Sequence, residues 1–165
     1  MKKYKLTDEC ITIGEHKLYR IEALIDFGWV KKGDKGGFIE SEKNLSHNGY
    51  CWVFGNAVVC GDAMVFGDVE VFGEAIISGN ARINGNASVA GNARVVNNSD
   101  YIVFKNWWSS GRHFTWTRSN NMWKVGCFYG TGKELIAKAY KDSELSGREY
   151  ERVVKYVESI LKDNK

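Results

Sequence analysis

Proline is absent from this sequence, histidine occurs only three times, and no low-complexity linker interrupts the chain. No apolar run approaches the roughly 18 residues that a membrane span requires. The first residues, Met1 to Glu9, lack the apolar stretch of a signal peptide, so we expect a protein that is not exported. The four cysteines show no CxxC spacing and favour free thiols over disulfides or a zinc site. We therefore expect a cytoplasmic protein with no cofactor, no metal and no membrane partner.

Neither sign of charge dominates. The net charge is +3, and residues 37–99 carry 3 basic and 6 acidic side chains, whereas residues 100–165 carry 12 and 8. The first 36 residues carry 8 basic and 6 acidic side chains. No segment reaches the strongly basic character of a dedicated nucleic-acid binder, so charge alone indicates no particular partner.

What the sequence does contain is a glycine at every sixth position from Gly49 to Gly91. From Gly55 to Val95 the six-residue unit reads Gly, then Asn, Asp or Glu, then Ala, with Val or Ile two positions after the alanine; Val69 is the one exception to alanine. A fixed period this short is typical of a parallel β-helix, in which each unit supplies one short strand and one bend. No unit can bury its apolar side until neighbouring coils stack on it.

The alternation of strand side chains separates inside from outside. The alanines and the branched residues of the repeat share one face, which we expect to be the interior: Ala57, Ala63, Ala75, Ala81, Ala87 and Ala93 with Val59, Val65, Val71, Ile77, Ile83, Val89 and Val95. Glycine followed by Asn or Asp suits the bends, because these residues tolerate or stabilise left-handed backbone. We interpret the Asn and Asp residues as turn formers.

These units resemble those of the left-handed β-helix hexapeptide-repeat proteins, the trimeric LpxA-like superfamily. The resemblance implies a left-handed, triangular β-helix with about three hexads per coil, and a tendency to form trimers. Three further segments, Tyr19–Leu24, Gly33–Glu42 and Asn44–Ser46, are similar to uncharacterised bacterial and phage or prophage members. This implies a phage accessory protein acting in the host cytoplasm, for example as an inhibitor that binds a host defence component.

Changes of pattern divide the chain into three segments. Residues 1–36 are predicted to form an N-terminal β element that caps the first coil, with a turn at Gly14–His16. Residues 37–99 are predicted to form the hexapeptide-repeat β-helix. Extending its frame backwards places Ile39, Leu45 and Cys51 at the position that alanine takes later.

Residues 100–165 are predicted to form a small α+β module that makes the specific contacts. Its strands are expected at Tyr101–Trp108, His113–Arg118 and Met122–Tyr129, as a three-stranded meander. Two helices follow, with capping boxes predicted at Thr131–Glu134 and Ser146–Glu149. The apolar stripe of the last helix is expected to pack on the meander.

Large apolar side chains occupy outward positions of the early coils. With three hexads per coil, Trp52 stacks over Glu70 and Ser88, and the set of outward aromatics is Trp52, Phe54, Phe66 and Phe72. Exposed apolar area of this extent is usually covered. The protein's own terminal segments are one possible cover. The other is a second copy of the chain, in a homo-dimer or homo-trimer whose interface contains these four residues.

An enzymatic alternative follows from the resemblance, because the best-known relatives are acyl- or acetyltransferases that use a general base, commonly histidine. Of the three histidines, only His47 lies in the repeat region, in an irregular early unit. No loop interrupts the coils from Gly49 to Val96 to shape an acceptor site. We therefore assign no catalytic residue.

The predicted binding residues lie in the meander: Trp107, Trp108, Arg112 and Arg118. Tryptophan and arginine are the residue types most enriched at interface hot spots. Because Trp107 and Trp108 are adjacent, they cannot both face inward, and one is expected to be exposed. Aromatics interleaved with cations would also suit nucleic acid, but alternation in 112–118 is that of an ordinary half-buried strand. A protein partner is favoured.

Overall fold

Alternating apolar residues at the N-terminus form a long hairpin. Strand β1 (Tyr4–Ile13) pairs antiparallel with β2 (His16–Ala23), and β2 pairs antiparallel with β3 (Lys35–Ile39). The predicted turn between β1 and β2 is confirmed, with Gly14 at a φ of 59°. These strands extend one ladder of the coiled region beyond its first coil. They cover Val58, which sits with Leu18 and Phe38 in a small apolar cluster.

The computed structural model describes residues 1–164, and its central part is a parallel β-solenoid of about three turns. Each unit contributes a two-residue strand: β4 (Trp52–Val53), β5 (Val58–Val59), β6 (Met64–Val65), β7 (Glu70–Val71), β8 (Ile76–Ile77), β9 (Arg82–Ile83), β10 (Ser88–Val89) and β11 (Arg94–Val95). They form three parallel ladders: β3-β5-β8-β11, β4-β7-β10 and β6-β9. The predicted stacking of Trp52, Glu70 and Ser88 is confirmed.

The predicted interior is also confirmed. All of the alanines and branched residues assigned to the inside are at most 1% exposed, and they form one continuous core. The bends require glycine where coils approach closely. A Cβ on Gly49, whose φ is +71°, would lie 2.4 Å from the carbonyl oxygen of Gly67 in the next coil. The glycine period therefore reflects both backbone conformation and coil spacing.

The first coil departs from the predicted frame. Phe38 pairs with Val58, twenty positions later, whereas Trp52 pairs with Glu70, eighteen positions later. Ile39 and Leu45 therefore align with the branched residues Val59 and Val65, and not with alanines as predicted. The two extra residues lie between Leu45 and Trp52. A shift of two keeps each side chain on the same face, so both residues remain buried.

The C-terminal sheet has four antiparallel strands, not the three predicted. They are β12 (Tyr101–Lys105), β13 (His113–Thr117), β14 (Met122–Val125) and β15 (Phe128–Gly130), in that order. The single strand predicted over Met122–Tyr129 is wrong, because Gly126 adopts a φ of +55° and reverses the chain. The first strand also ends earlier than predicted, at Lys105 and not at Trp108. Two strands and a tight turn result.

Two helices complete the chain, as predicted. Helix α1 (Gly132–Asp142) begins at the predicted capping box, where Thr131 Oγ1 accepts the Glu134 N–H. Helix α2 (Glu144–Asp163) begins earlier than predicted: Ser143 is its N-cap and accepts the Ser146 N–H, so Ser146 is not a cap. Within residues 1–164, neither helix has the length and apolar character needed to cross a membrane.

One face of the sheet packs against the helices. The apolar stripe of α2 packs there as predicted, and the shared core is Phe114, Trp116, Trp123, Val125, Leu135, Ala139, Tyr150, Val154 and Val157. Because side chains alternate along β13, Thr115 and Thr117 lie on the opposite face. Both are buried, and Thr115 contacts the solenoid through a hydrogen bond to the backbone of Ser88.

At the last coil, side-chain oxygens accept the backbone N–H groups that have no further coil to pair with. In the stacked coils the N–H that follows each repeat alanine donates to a carbonyl of the next coil, as Val58 does to Ala75. At the end of the stack three such donors remain, one per ladder. They are satisfied by Asn98 Oδ1 (from Arg82, 2.8 Å), Thr115 Oγ1 (from Ser88, 2.8 Å) and Ser119 Oγ (from Arg94, 2.7 Å). The solenoid thus ends without orphaned donors at these positions.

Near the start of the solenoid, side-chain nitrogens donate hydrogen bonds to backbone carbonyls. Lys3 is 1% exposed, and its Nζ donates to the carbonyl oxygens of Gly49 (3.3 Å) and Cys51 (2.8 Å). Asn44 Nδ2 donates to the carbonyls of Gly61 and Ala63. Burial lowers the pKa of the Lys3 ammonium, partly offset by its interaction with Cys51. A charged side chain is tolerated here because backbone oxygens surround it.

Candidate functional site

The loop between β12 and β13, residues 106–112, is held together by its own hydrogen bonds. Its two ends are joined by a hydrogen bond from the Asn106 N–H to the Arg112 carbonyl (2.8 Å). The Asn106 side chain is buried, and its Oδ1 accepts both the N–H and the hydroxyl of Ser109. The buried Asn106 side chain therefore stabilises the loop, because its Oδ1 accepts hydrogen bonds as a backbone carbonyl does in an ordinary turn.

The tryptophan pair lies in this loop. Trp107 is 70% exposed, whereas Trp108 is partly buried with its ring perpendicular to that of Tyr150 at 4.9 Å. The prediction that one of the two is exposed is confirmed, and the exposed one is Trp107. The Trp108 indole nitrogen is buried and has no acceptor among residues 1–164. An unpaired buried donor is uncommon.

A cleft of about 290 Å³ opens beside the loop, between the β14–β15 turn and the two helices. Its walls combine polar and apolar side chains: Asn106, Ser109, Ser110, Arg112, Val125, Cys127, Phe128, Leu135, Lys138, Ala139, Asp142, Ser146 and Tyr150. Burial raises the pKa of the Tyr150 phenol. The 106–112 loop thus carries the exposed Trp107 and also contributes side chains to the wall of the cleft.

The structure does not bring the four predicted binding residues together. Arg112 and Arg118 flank opposite ends of β13, and six residues of extended strand span about 20 Å. Arg118 lies near the solenoid, where its Nε donates to the Ser99 carbonyl and its guanidinium lies 5.8 Å from the Trp116 ring centre. Trp107, Trp108 and Arg112 form one locality, and Arg118 belongs to another.

The predicted interface aromatics differ in accessibility. Trp52 is 1% exposed because Phe27 and Tyr4 of the N-terminal element pack on it, at 5.3 and 6.1 Å between ring centres. The prediction that Trp52 contributes to an interface between copies is therefore wrong: the chain itself covers the ring.

The other three aromatics are half-buried. Phe54 and Phe72 stack on each other at 4.8 Å, and the Lys124 ammonium lies 5.7 Å from the Phe72 ring centre. The Arg82 guanidinium lies 5.4 Å from the ring of Phe66. These three keep part of their area accessible to a second copy.

His47 is held by contacts on several sides. Its Nδ1 accepts the Lys3 backbone N–H (3.1 Å), its Nε2 lies 3.3 Å from Glu42 Oε2, and its ring stacks on Tyr4 at 4.3 Å. Lys2 and then His47 lower the pKa of the Glu42 carboxyl. The histidine therefore joins the N-terminus to the first coil. Within the described part of the chain, no group of three or more His, Cys, Asp or Glu residues could hold a metal ion.

Sequence reasoning missed Trp29, which at 87% exposure is the most accessible tryptophan of the chain. It lies at the tip of a two-residue turn, Gly28–Trp29, closed by reciprocal backbone hydrogen bonds between Phe27 and Val30. Phe27 and Val30 are buried and anchor the turn. The available signal was a glycine-containing dipeptide between two apolar residues.

Comparison of the chain with models of protein families and with curated proteins finds no match. A functional assignment for this chain therefore depends on its fold and on the geometry of the 106–112 loop and its cleft.

Proposed function

We propose that this chain is a non-catalytic binding protein whose C-terminal module contacts a protein partner through the 106–112 loop. The observation that carries this proposal is the location of an exposed tryptophan and a cleft on one rigid loop. Rigid exposed aromatics cost little conformational entropy on binding and dominate interface energetics. The repetitive coils present no comparable feature beside a cleft.

The contacts of His47 support the non-catalytic part of the proposal. A general base needs a free nitrogen within reach of the substrate. In this chain one ring nitrogen accepts a backbone N–H, the other faces a carboxylate, and one ring face is covered by Tyr4. These contacts fit a structural histidine better than the base of an acyltransferase.

The finer assignment of the architecture belongs to the same proposal. We infer a left-handed β-helix of the hexapeptide-repeat, LpxA-like kind over residues 37–99, with residues 1–36 as a cap and residues 100–165 as the binding module. The six-residue glycine period and the eighteen-residue pairing distance support it. The resemblance to phage and prophage proteins supports a cytoplasmic accessory protein that inhibits a host component such as a defence system.

Truncating Trp107 and Arg112 together is expected to weaken capture of the partner. The loss of two anchor residues costs about 2 kcal/mol or more, which is about a 30-fold higher Kd. The thermal melt is expected to change little, because both side chains are exposed. The measurement is a quantitative pull-down from a lysate of the native host with wild type and with the Trp107→Ala, Arg112→Gln variant.

Two control variants test whether the effect is specific to the 106–112 loop. Trp29→Ala removes an exposed tryptophan at the Gly28–Trp29 turn, and Arg118→Gln removes the arginine at the far end of β13; both are expected to retain capture. A parallel acetyl-CoA consumption assay with His47→Ala tests the enzymatic alternative. Undiminished capture by the double variant, or turnover that depends on His47, would overturn the proposal.

Self-association is proposed through the remaining outward aromatics of the early coils. Light scattering of the wild type is expected to report a dimer or trimer, and a Phe54→Glu, Phe72→Glu variant is expected to shift toward monomer because two carboxylates would enter an apolar contact. Ile13→Glu, on the exposed end of the N-terminal hairpin, is the matched control and should leave the mass unchanged. A wild type that is monomeric at high micromolar concentration contradicts this proposal.

A further inference from the structure

Two hydrogen-bond donors in the cleft beside the 106–112 loop, the Arg112 guanidinium and the Tyr150 hydroxyl, have no acceptor within the described residues. Arg112 lines it, and within residues 1–164 its guanidinium forms no ion pair with a carboxylate. The Tyr150 hydroxyl accepts a hydrogen bond from Asn106 Nδ2 (3.3 Å), but its own proton has no acceptor in the described part of the chain. The one carboxylate in the wall, Asp142, is paired with Lys138 at 3.6 Å. A ligand that complements this wall must therefore supply acceptor oxygens.

The remaining wall is apolar. Val125 and Leu135 are buried beneath the cleft, and Phe128 is half-buried at its side. A phosphate, which is polar on all sides, would leave these side chains without a partner. The volume of about 290 Å³ lies just below the range of ordinary ligand pockets, which span about 300–1,000 Å³. The space suits one amino-acid side chain or a small organic acid.

We propose that this cleft binds a carboxylate carried on a short apolar carbon skeleton, with Arg112 as its anchor. The planar guanidinium matches a carboxylate with two parallel hydrogen bonds, and the Tyr150 hydroxyl is placed to donate a further one. The apolar skeleton lies against Val125, Phe128 and Leu135. This inference rests on the proposed function, since it states what the C-terminal module recognises. The carboxylate belongs either to a free small acid or to the chain terminus of a partner.

A cysteine in the wall of the cleft can be used to detect ligand binding. Cys127 lies in the β14–β15 turn, is exposed and lines the cleft, whereas the second exposed cysteine, Cys10, lies on β1 outside it. The rate of alkylation by iodoacetamide at each cysteine can be followed by peptide mass spectrometry in one sample. Cys10 then corrects for any general effect of an added compound.

The experiment compares hexanoate with hexanamide, and a Gly-Gly-Gly-Leu peptide with a free C-terminus against its amide. Both carboxylates are expected to slow alkylation of Cys127 at least fivefold at saturation, with Cys10 unchanged, and both amides are expected to have no effect. Arg112→Gln should abolish the protection, and Arg118→Gln should retain it. Protection by the peptide at a tenfold lower concentration than hexanoate identifies a chain terminus as the source; equal potency identifies a small acid.

Several outcomes would overturn the inference. They are equal protection by the amides, protection by inorganic phosphate as strong as that by hexanoate, protection that survives Arg112→Gln, and no protection by any probe. Failure here is separable from failure of the proposed function. If the probes give no protection while the Trp107→Ala, Arg112→Gln variant still loses its partner, the binding surface stands and only the carboxylate is refuted.

Discussion

Replacing Ile77 with aspartate is expected to leave the chain unfolded. Ile77 is fully buried in β8, where its neighbours in the adjacent coils are Val59 above and Val95 below. A carboxylate there has no hydrogen-bond partner, and burying it costs several kcal/mol in addition to the lost packing. A whole domain has a free energy of unfolding of only about 5–15 kcal/mol, so one substitution removes most of it.

A thermal melt followed by circular dichroism measures this effect. Arg82→Asp is the matched control, because Arg82 lies next to the inward Ile83 but points outward and is exposed. Its backbone N–H still donates to Asn98 in the variant, so the last coil remains closed. A melting temperature that falls equally in both variants would show that the inside and outside of the coils have been misassigned.

Lys3→Met is expected to be the second most damaging change. Methionine fills similar space, but the Cys51 carbonyl loses its donor in a buried environment, and the Gly49 carbonyl loses a longer, part-buried hydrogen bond. The buried unsatisfied acceptor costs about 1–3 kcal/mol and the lost part-buried hydrogen bond about 1 kcal/mol, so we expect a loss of about 2–4 kcal/mol in the free energy of unfolding. Urea denaturation measures the loss. Lys2→Met is the control, since the Lys2 side chain is 65% exposed in its ion pair with Glu42.

The stability difference between the wild type and Lys3→Met also depends on pH, with a defined sign. Burial lowers the pKa of Lys3 below its ordinary value of 10.5 in the folded state. Between the folded pKa and 10.5 the unfolded chain binds more protons, so the wild type gains stability relative to Lys3→Met as the pH rises. A relative stability that falls over this window would contradict the assignment of Lys3 as a buried, desolvated ammonium.

The coils could be predicted because their determinants are local and repeated. Glycine at each bend and alanine with a branched residue in each strand specify one unit, and the stack follows from repetition. The first coil is different because its frame depends on two extra residues between Leu45 and Trp52, which no single unit reveals. The Gly126–Cys127 turn was missed because the apolar residues on both sides of it resemble one continuous strand.

The candidate site was predictable only where its residues are close in sequence. Trp107 and Arg112 lie in the same part of the module because one short loop carries both. Trp52 lies outward on its coil, as alternation predicts, but its burial depends on Phe27, which reaches it from a different segment. Tertiary contacts of this kind leave no periodic signal. The same reason explains Lys3, whose polar partners lie more than forty residues away.

The eighteen-residue pairing distance determines how this protein can change in length. Inserting eighteen residues within the coils would move the C-terminal module farther from the N-terminal hairpin without turning it, because the new coil ends on the same ladder as the old one. Inserting six would carry the module round to the next ladder. The distance between the C-terminal module and the N-terminal hairpin can therefore change independently of their relative orientation in this architecture. The spacing between the Gly28–Trp29 turn and the cleft beside the 106–112 loop can be lengthened one coil at a time while both keep facing the same directions.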